Sequence, residues 1–442
     1  MKKTGLKVAK FGGSSVADAI QIEKTRKIIE ADPERRYVVV SAPGKRFDSD
    51  NKITDLLYLC KAQIDLSAPY DQVFQVIVDR FTATALALGL AVKPAERFAE
   101  IKARFESEPS ADYIASRGEY MSAIILAEYL GCDFVDTAEL IRFDKKGRLL
   151  YDETIAALKV ALSKTERAVL PGFYGSGPDG KIKTFSRGGS DITGALVAGA
   201  ADADVYENWT DVSGFLVADP RIVKNAKAID RISYMELREL SYMGASVLHE
   251  NAVYPARRAG IPINIRNTNE PDNPGTIITA DEGDRDPENI ITGIAGNKDF
   301  AVIAVYKSMM STEVGFVRKL LSVFEDYDIP IEHIPSGVDT VSIVIAKKYL
   351  GDRLPEIIEE FERKLRPDSV EVFEEMALIA TVGKGMAARP GVSAALFSAL
   401  YEAGVNIRMI DQGSSEMNII VGVENKDFET AIKAIYRAFI KE

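Results

Sequence analysis

The chain of 442 residues is 46% hydrophobic and 27% charged, ordinary globular usage, and is long enough for two or three cores rather than one. Its 55 basic and 66 acidic side chains give a formal net charge of -11, which argues against nucleic acid or an anionic membrane as partner and leaves small anions to local basic clusters. Two cysteines, Cys60 and Cys132, and two histidines, His249 and His333, exclude a disulfide framework and a structural zinc site.

The opening MKKTGLKVAKFGG reaches its glycines before an apolar signal core could form, and no apolar run is as long as a membrane span, so a cytoplasmic protein is expected. Residues 6–11 read as a strand, 16–31 as an amphipathic helix and 37–41 (YVVVS) as a buried strand. Helical patterns follow over 54–64, 71–90 and 119–130. Short apolar strands come next, over 168–170, 205–209 and 261–265. Buried VVV-type strands alternating with helices predict an α/β domain with an open, mostly parallel sheet sandwiched by helices. The pattern breaks at 281–289 (DEGDRDPEN), which reads as a linker.

An internal repeat follows. Ala301-Val302-Ile303-Ala304 matches Ala377-Leu378-Ile379-Ala380 at an offset of 76 positions. The same shift pairs Gly315 with Gly391, Asp328 with Gly404, Ile331 with Ile407, Gly337 with Gly413 and Ile343 with Ile419. Two copies of one β-α-β-β-type module are therefore expected. The module resembles the ACT domain, a ferredoxin-like (βαββαβ) unit that commonly binds amino acids between paired copies. A glycine stands at each helix start, where free backbone N–H groups suit a carboxylate. The alternative use of such a repeat is dimerisation alone. The expected domains are 1–290, 291–375 and 376–442.

Gly175-Ser176-Gly177-Pro178-Asp179-Gly180 satisfies G-x-G-x-x-G and, with Lys181, nearly a P-loop. Both motifs need a helix next, but KIKTF alternates like a strand, so a hairpin turn is the better reading. Lys10-Phe11-Gly12-Gly13-Ser14-Ser15 is a stronger signal, because it ends a strand and opens a helix. Its glycines let a phosphate approach the backbone, and Lys10 adds a fixed positive charge. Ser186-Arg187-Gly188-Gly189-Ser190-Asp191 opens a second helix with another glycine pair. Each of these residues also has a structural explanation: helix capping for Ser190 and Asp191, a solvated charge for Arg187. Ser116-Arg117-Gly118-Glu119 is a capping-box pattern that would leave Glu119 purely structural. Thr210-Asp211 follows a strand, where ligands bind in open α/β sheets.

Taken together in this order, K-F-G-G-S-S, S-R-G-E, S-R-G-G-S-D and W-T-D-V followed by two ACT-like repeats resemble the aspartokinase branch of the amino acid kinase family over essentially the whole chain. The resemblance implies transfer of the γ-phosphoryl of ATP, with Mg²⁺, to the β-carboxylate of L-aspartate. Because nothing remains after the second repeat, the form without a fused homoserine dehydrogenase is expected. Lys10 then looks like the lysine that neutralises the transferring phosphoryl group, with Gly12, Gly13 and Ser14 as its backbone cradle. Asp191 is similar to the aspartate that orients the catalytic centre. Arg187 and Glu119 look like clamps for the substrate's α-carboxylate and α-ammonium, and Ser41, Thr54, Phe173 and Ser190 like further substrate-pocket positions. Thr210, Asp211 and Arg221 look like nucleotide contacts. No metal ligand is assigned. A β-carboxylate is ionised at neutral pH, so the reaction needs no general base, in keeping with a site without histidine.

Three departures bear on nucleotide affinity. Ser246 stands where many relatives carry lysine, Glu250 where proline is common, and Leu216 where tyrosine is frequent. His249 reads as a packed helix residue. The resemblance further implies feedback by lysine or threonine through the first ACT-like copy, at Met310, Ser311, Gly315, Phe316, Glu332 and Ser336. Glu332 has Arg408 as its counterpart, so the acidic first copy favours a cationic amino acid and the expectation leans to lysine. Exposed sheet edges of paired modules imply a homodimer or homotetramer. Two other readings stay open: another acyl-phosphate-forming kinase, and a catalytically silent amino-acid sensor on a kinase scaffold, which Ser246 keeps possible.

Overall fold

The computed structural model describes residues 5–107, 109–244, 248, 250–280, 289–387 and 389–440. The proposed linker at 281–289, save Asn289, and both Ser246 and His249 lie outside the described residues. Two compact units divide the chain. One comprises Met1–Phe215, Ala228–Tyr234 and Val247–Gly283, and the other Leu216–Lys227, Met235–Ser246 and Asp284–Glu442. A linear boundary near residue 290 does not describe this division, because two earlier segments belong with the C-terminal residues. Backbone and side-chain bonds hold them there: Ile294 N donates to Val217 O at 2.6 Å, Thr292 Oγ1 to Glu236 at 2.6 Å, and Asn418 to Glu239 at 2.7 Å.

The first unit is built on an eight-stranded sheet. Strand Lys7–Phe11 lies centrally, paired in parallel with Arg35–Val40 on one side and Val205–Thr210 on the other. Ala168–Pro171 and then Asp133–Phe134 continue one edge in parallel. On the other side Ile263–Asn267 is parallel, and only its pairing with Thr276–Thr279 is antiparallel. Alternate residues of the central strands face opposite sides, yet Val8, Ala9, Val39 and Val40 are all fully buried. Both faces are therefore covered, which is why these strands read as continuous apolar runs. Ala9, Phe11, Val38 and Val40 join a core with Ile22, Leu57, Phe81, Phe98 and Met121 from the helices after the first two strands. Helix Gly189–Ala200 lies against the three central strands. Among the described residues, no helix is long and apolar enough to cross a membrane.

One expected helix starts in a different place. The segment placed at 119–130 is a helix over Ala111–Leu130, capped by Ser110, whose side chain accepts from Tyr113 N. Ser116 is inside it, donating to Tyr113 O at 2.7 Å, so Ser116–Glu119 is no capping box. The 175–180 glycines do form a hairpin: Tyr174–Ser176 pairs antiparallel with Ile182–Thr184, and no helix follows the turn.

The second unit has a five-stranded sheet whose two longest strands, Gly293–Tyr306 and Ser369–Val382, run antiparallel side by side. A bulge near Asn297–Phe300 splits each into two halves. The later half of Gly293–Tyr306 pairs with Thr340–Ala346, and the later half of Ser369–Val382 pairs with Asn418–Glu424. The repeat is plain in the helices Phe316–Asp326 and Val392–Glu402, capped by Gly315 at φ +83° and Gly391 at φ +92°. The constant shift of 76 then slips. Ile303 faces Ile343, whereas Ile379 faces Val421, so the third strands correspond at 78. Ile419 is thus not the structural counterpart of Ile343; the second copy has two more residues in the turn before that strand.

Candidate active site

The parallel strands of the first unit bring their carboxyl ends to one edge, where loops can gather ligand-binding groups. Lys10 stands one residue before the end of its strand, 7% exposed. Its ammonium meets Asp191 Oδ1 at 2.6 Å and Asn208 Oδ1 at 3.5 Å, and Asn208 Nδ2 donates to the same Asp191 oxygen at 2.9 Å. Asp191 is in the first turn of helix Gly189–Ala200, whose cap is Gly188 in the left-handed region with no side-chain cap bond. The capping explanation of Asp191 is therefore replaced: its carboxylate is spent on Lys10 and Asn208. Tyr206 Oη, donating to Asp191 O at 3.1 Å, fixes the same turn from below.

Asn208 was not foreseen from the sequence. It lies directly across from Lys10 in the parallel ladder and is 3% exposed. The signal was available in VYENWT, where Glu and Asn interrupt a strand otherwise fit for burial. Glu207 accounts for itself separately, taking Arg35 at 2.6 Å and Trp209 Nε1 at 2.9 Å.

Gly12 and Gly13 turn the chain away from the strand. Gly12 N donates to Trp209 O at 2.9 Å, and Gly44 N donates to Gly13 O at 2.8 Å. A Cβ on Gly13 would come within 2.8 Å of Ala42 O, so only glycine lets the turns after the first two strands close on each other. Ser14 is the second residue of the short 3₁₀ turn Gly13–Val16. Ser41 is joined to the same place by its N–H to Phe11 O at 3.1 Å, and Thr54 sits in the first turn of helix Ile53–Asp65, whose Ile53 N reaches Pro43 O at 3.1 Å.

Glu119 is 5% exposed and its Oε2 is buried with no hydrogen-bond partner. Burial raises its carboxyl to about 8, against the pull of the Ala42 backbone, its own N–H, Arg117 and Lys10. Gly118 makes this contact possible, since a Cβ there would lie 2.6 Å from Ala42 Cβ. Phe173 has a left-handed backbone at φ +77°, held by Thr193 Oγ1 accepting from its N–H at 3.2 Å. That turn packs Gly172 against Ser190, which is buried. Arg187, just before, is exposed and forms no ion pair among the described residues. Thr210 ends its strand, and its hydroxyl reaches Asp211 Oδ1 at 3.1 Å.

Lys10, Gly12, Gly13, Ser14, Ser41, Glu119, Phe173, Ser190 and Asp191 are thus linked through shared contacts of one unit. Arg221 is not among them. It belongs to the second unit, is exposed, and is paired with Asp219 at 2.6 Å. Leu216 is in that unit as well, partly exposed. Glu250 opens helix Glu250–Ala259. Among the described residues, no three His, Cys, Asp or Glu side chains gather as a metal site.

In the second unit, Met310 and Phe316 are buried, whereas Ser311 and Ser336 are exposed; Gly315 caps the helix that Phe316 begins, and Ser336 bridges to Val341. Glu332 is not simply solvated: it accepts the hydroxyl of Tyr242, whose phenol is pushed well above its ordinary range by burial and then by Glu332.

The amino acid kinase family model matches residues 5–267, and an ACT domain model matches residues 379–439. Aspartokinase 3 of Bacillus subtilis is 36% identical over 450 residues, covering 98% of each chain. The crystal structure of Clostridium acetobutylicum aspartate kinase superposes with a TM-score of 0.93 at 51% identity, over 99% of this chain and 100% of that one. Escherichia coli aspartokinase III, in a complex with aspartate and ADP, has a TM-score of 0.75 at 26% identity, with 99% and 100% covered.

Proposed function

Because the chain belongs to the amino acid kinase family, and within it to the ACT-bearing aspartokinases, we propose that it phosphorylates the β-carboxylate of L-aspartate with Mg-ATP. The observation that carries this reading is the buried Lys10–Asp191–Asn208 cluster set against a turn that only glycine can make. The Gly12 N–H is spent on Trp209 O, so the N–H groups that open the 3₁₀ turn Gly13–Val16 are the ones suited to phosphate oxygens, with Lys10 aimed from the strand beneath. One carboxylate oxygen attacks the γ-phosphorus, the bond to the β,γ-bridging oxygen breaks, and ADP leaves with that electron pair. The acceptor is already ionised, so no proton is abstracted.

The hard step is bringing two anions together. Lys10 supplies positive charge where charge moves, and Asp191 with Asn208 keeps its ammonium from swinging away. The fit to a triphosphate is good, since side chains are excluded from the glycine turn. Magnesium would be held largely by the phosphates and water, with few protein carboxylates, no carboxylate cluster gathering among the described residues. When bound it would supply further neutralisation of the phosphate charge. At the acceptor end, Glu119 offers the buried carboxylate that an α-ammonium requires, and Arg187 the free guanidinium that an α-carboxylate requires.

The ACT-bearing unit is proposed to take an inhibitory amino acid at the first repeat, with lysine favoured over threonine because Glu332 supplies an acidic contact. An aspartokinase III crystallised with lysine and aspartate resembles this chain at 25% identity and a TM-score of 0.77, which supports the choice.

The test is to trap the product with hydroxylamine in the presence of Mg-ATP. Aspartyl hydroxamate forming with aspartate, and not with glutamate or acetylglutamate, is the expected result; the reverse preference would replace aspartate as substrate.

A further inference from the structure

An arginine far from the reacting groups in sequence controls both turns that receive them. Arg80 lies on helix Asp71–Ala87, on the face that buries Phe74, Ile77 and Phe81, and is itself only 8% exposed. A cation in that position needs partners, and it finds backbone carbonyls from three places. Its Nη1 donates to Asn51 O at 2.6 Å, while Nη2 donates to Gly44 O at 2.8 Å and reaches Ala17 O at 3.4 Å. Asp50 lies 3.6 Å away, and the carboxylate of Asp18 also favours its charge.

These carbonyls belong to the two turns that build the site. Ala17 follows the glycine turn, whereas Gly44 and Asn51 are near the ends of the long loop between Ser41 and helix Ile53–Asp65. Asp50 braces the loop from inside by accepting Arg46 N at 3.1 Å and the Arg46 guanidinium at 2.8 Å. Gly44 is the residue whose N–H meets Gly13 O, and a Cβ on it would come within 2.8 Å of the Gly13 carbonyl carbon. One planar guanidinium therefore fixes the loop, and through Gly44 fixes the glycine turn. A lysine has three donors but on a single nitrogen, so it lacks the rigid planar fork whose two nitrogens here reach carbonyls of both turns.

We propose that Arg80 is a positioning residue for phosphoryl transfer: it locks loop 41–52 onto the glycine turn and so sets the gap between phosphoryl donor and carboxylate acceptor. The inference rests on the kinase reading above, with Gly12 and Gly13 on the donor side and Ser41 and Glu119 on the acceptor side. Arg80 bonds Asn51, Gly44 and Ala17 and lies beside Asp50, none of them a residue assigned to either substrate. Its loss lets the two sides drift, and misplacement of about 1 Å is enough to cost up to a hundredfold in rate.

Two measurements on the full chain test this. The first is amide hydrogen exchange of the free protein, which depends on no assumed activity. Arg80→Lys should speed exchange at Gly44 and across 12–17 and 41–53 while the sheet strands stay protected. The second is steady-state kinetics per folded molecule. Arg80→Lys and Arg80→Ala should lower kcat by tenfold or more, and millimolar guanidinium should restore turnover to Arg80→Ala but not to Lys10→Ala. Faster exchange confined to the two turns supports the proposed lock even if the wild type phosphorylates no aspartate, an outcome that would sink only aspartate as the acceptor. Unchanged exchange at Gly44, or kinetic constants within twofold of wild type in a folded Arg80→Lys protein, would overturn it. So would a fall in melting temperature with no change in turnover of the folded fraction, because that marks a merely structural residue.

Discussion

Lys10, Asp191 and Asn208 share one buried cluster, so each substitution there leaves a different remainder. Lys10→Ala removes the charge and leaves Asp191 with Asn208 alone; turnover should fall by about a hundredfold or more, the scale seen when a group that stabilises developing charge is lost. Asn208→Leu keeps the volume and the Lys10–Asp191 pair but frees both side chains to move, so kcat should fall about tenfold with the KM for aspartate nearly unchanged. A raised KM with unchanged kcat would instead make Asn208 a binding residue. Glu119 yields a prediction in pH. Its carboxyl titrates near 8 in the free protein, against an ordinary value of 4.5, so the neutral form prevails at pH 7. An incoming ammonium favours the ionised form. Aspartate binding at pH 7 should therefore release a proton and tighten as pH rises towards 8, which calorimetry in two buffers of different ionisation enthalpy reads directly. Since the folded-state value is raised, the contribution to stability is intact below pH 4.5 and is lost as pH climbs through 8. Glu119→Gln should accordingly melt above wild type at pH 8, the gap closing towards pH 4.5. Sequence alone left Glu119 and Asp191 divided between capping and chemistry. Only tertiary contacts decide such a choice: a cap bonds its own helix, whereas Asp191 bonds two other strands. Asn208 was harder to see because a strand pattern shows that a polar residue is buried but not what lies across the ladder.

At the level of elements, two turns and the helix Ala111–Leu130 meet because three glycines leave room. Gly13 faces Ala42 O, Gly44 faces Gly13, and Gly118 faces Ala42 Cβ. The last contact makes a sharp test. Gly118→Ala places two methyl groups 2.6 Å apart and should push the 41–44 turn off helix Ala111–Leu130, raising the KM for aspartate and lowering the melting temperature. Because the clashing atom is the Ala42 methyl, Ala42→Gly in the same chain should recover most of both losses. Failure of the double variant to recover would mean that the clash lies elsewhere. The strands, the glycine turn and the decoy hairpin were legible from periodicity and turn chemistry. The start of helix Ala111–Leu130 was not: Ser110 and Ser116 both suit a cap, and local sequence ranks a serine followed by Glu three residues later above the one actually used. Arg80 was invisible for a related reason. Its partners are backbone carbonyls, which leave no trace in residue identity.

For the whole molecule, the repeat and the parallel α/β sheet could both be read from sequence, but the division into units could not. Segments 216–227 and 235–246 pack with the C-terminal residues through bonds such as Asn418 to Glu239, and no composition shift marks where they leave the first unit. The two-residue slip in the repeat was hidden too, because Ile343 and Ile419 match in type while the ladder pairs Val421 instead. Glu332 keeps its counterpart at Arg408: their N–H groups reach Val344 O and Gly422 O, which correspond across the slip. Regulation can be tested there. Glu332→Gln should weaken lysine inhibition about tenfold or more without altering uninhibited turnover, and inhibition by threonine alone would remove lysine from the account. The central claim, that Lys10 at the glycine turn drives phosphoryl transfer to aspartate, is met most directly by measuring ADP release from Mg-ATP, with and without aspartate, for wild type beside Lys10→Ala. Aspartate-dependent release in the wild type that vanishes in the variant is predicted. Release indifferent to aspartate, or equal in both proteins, would contradict it.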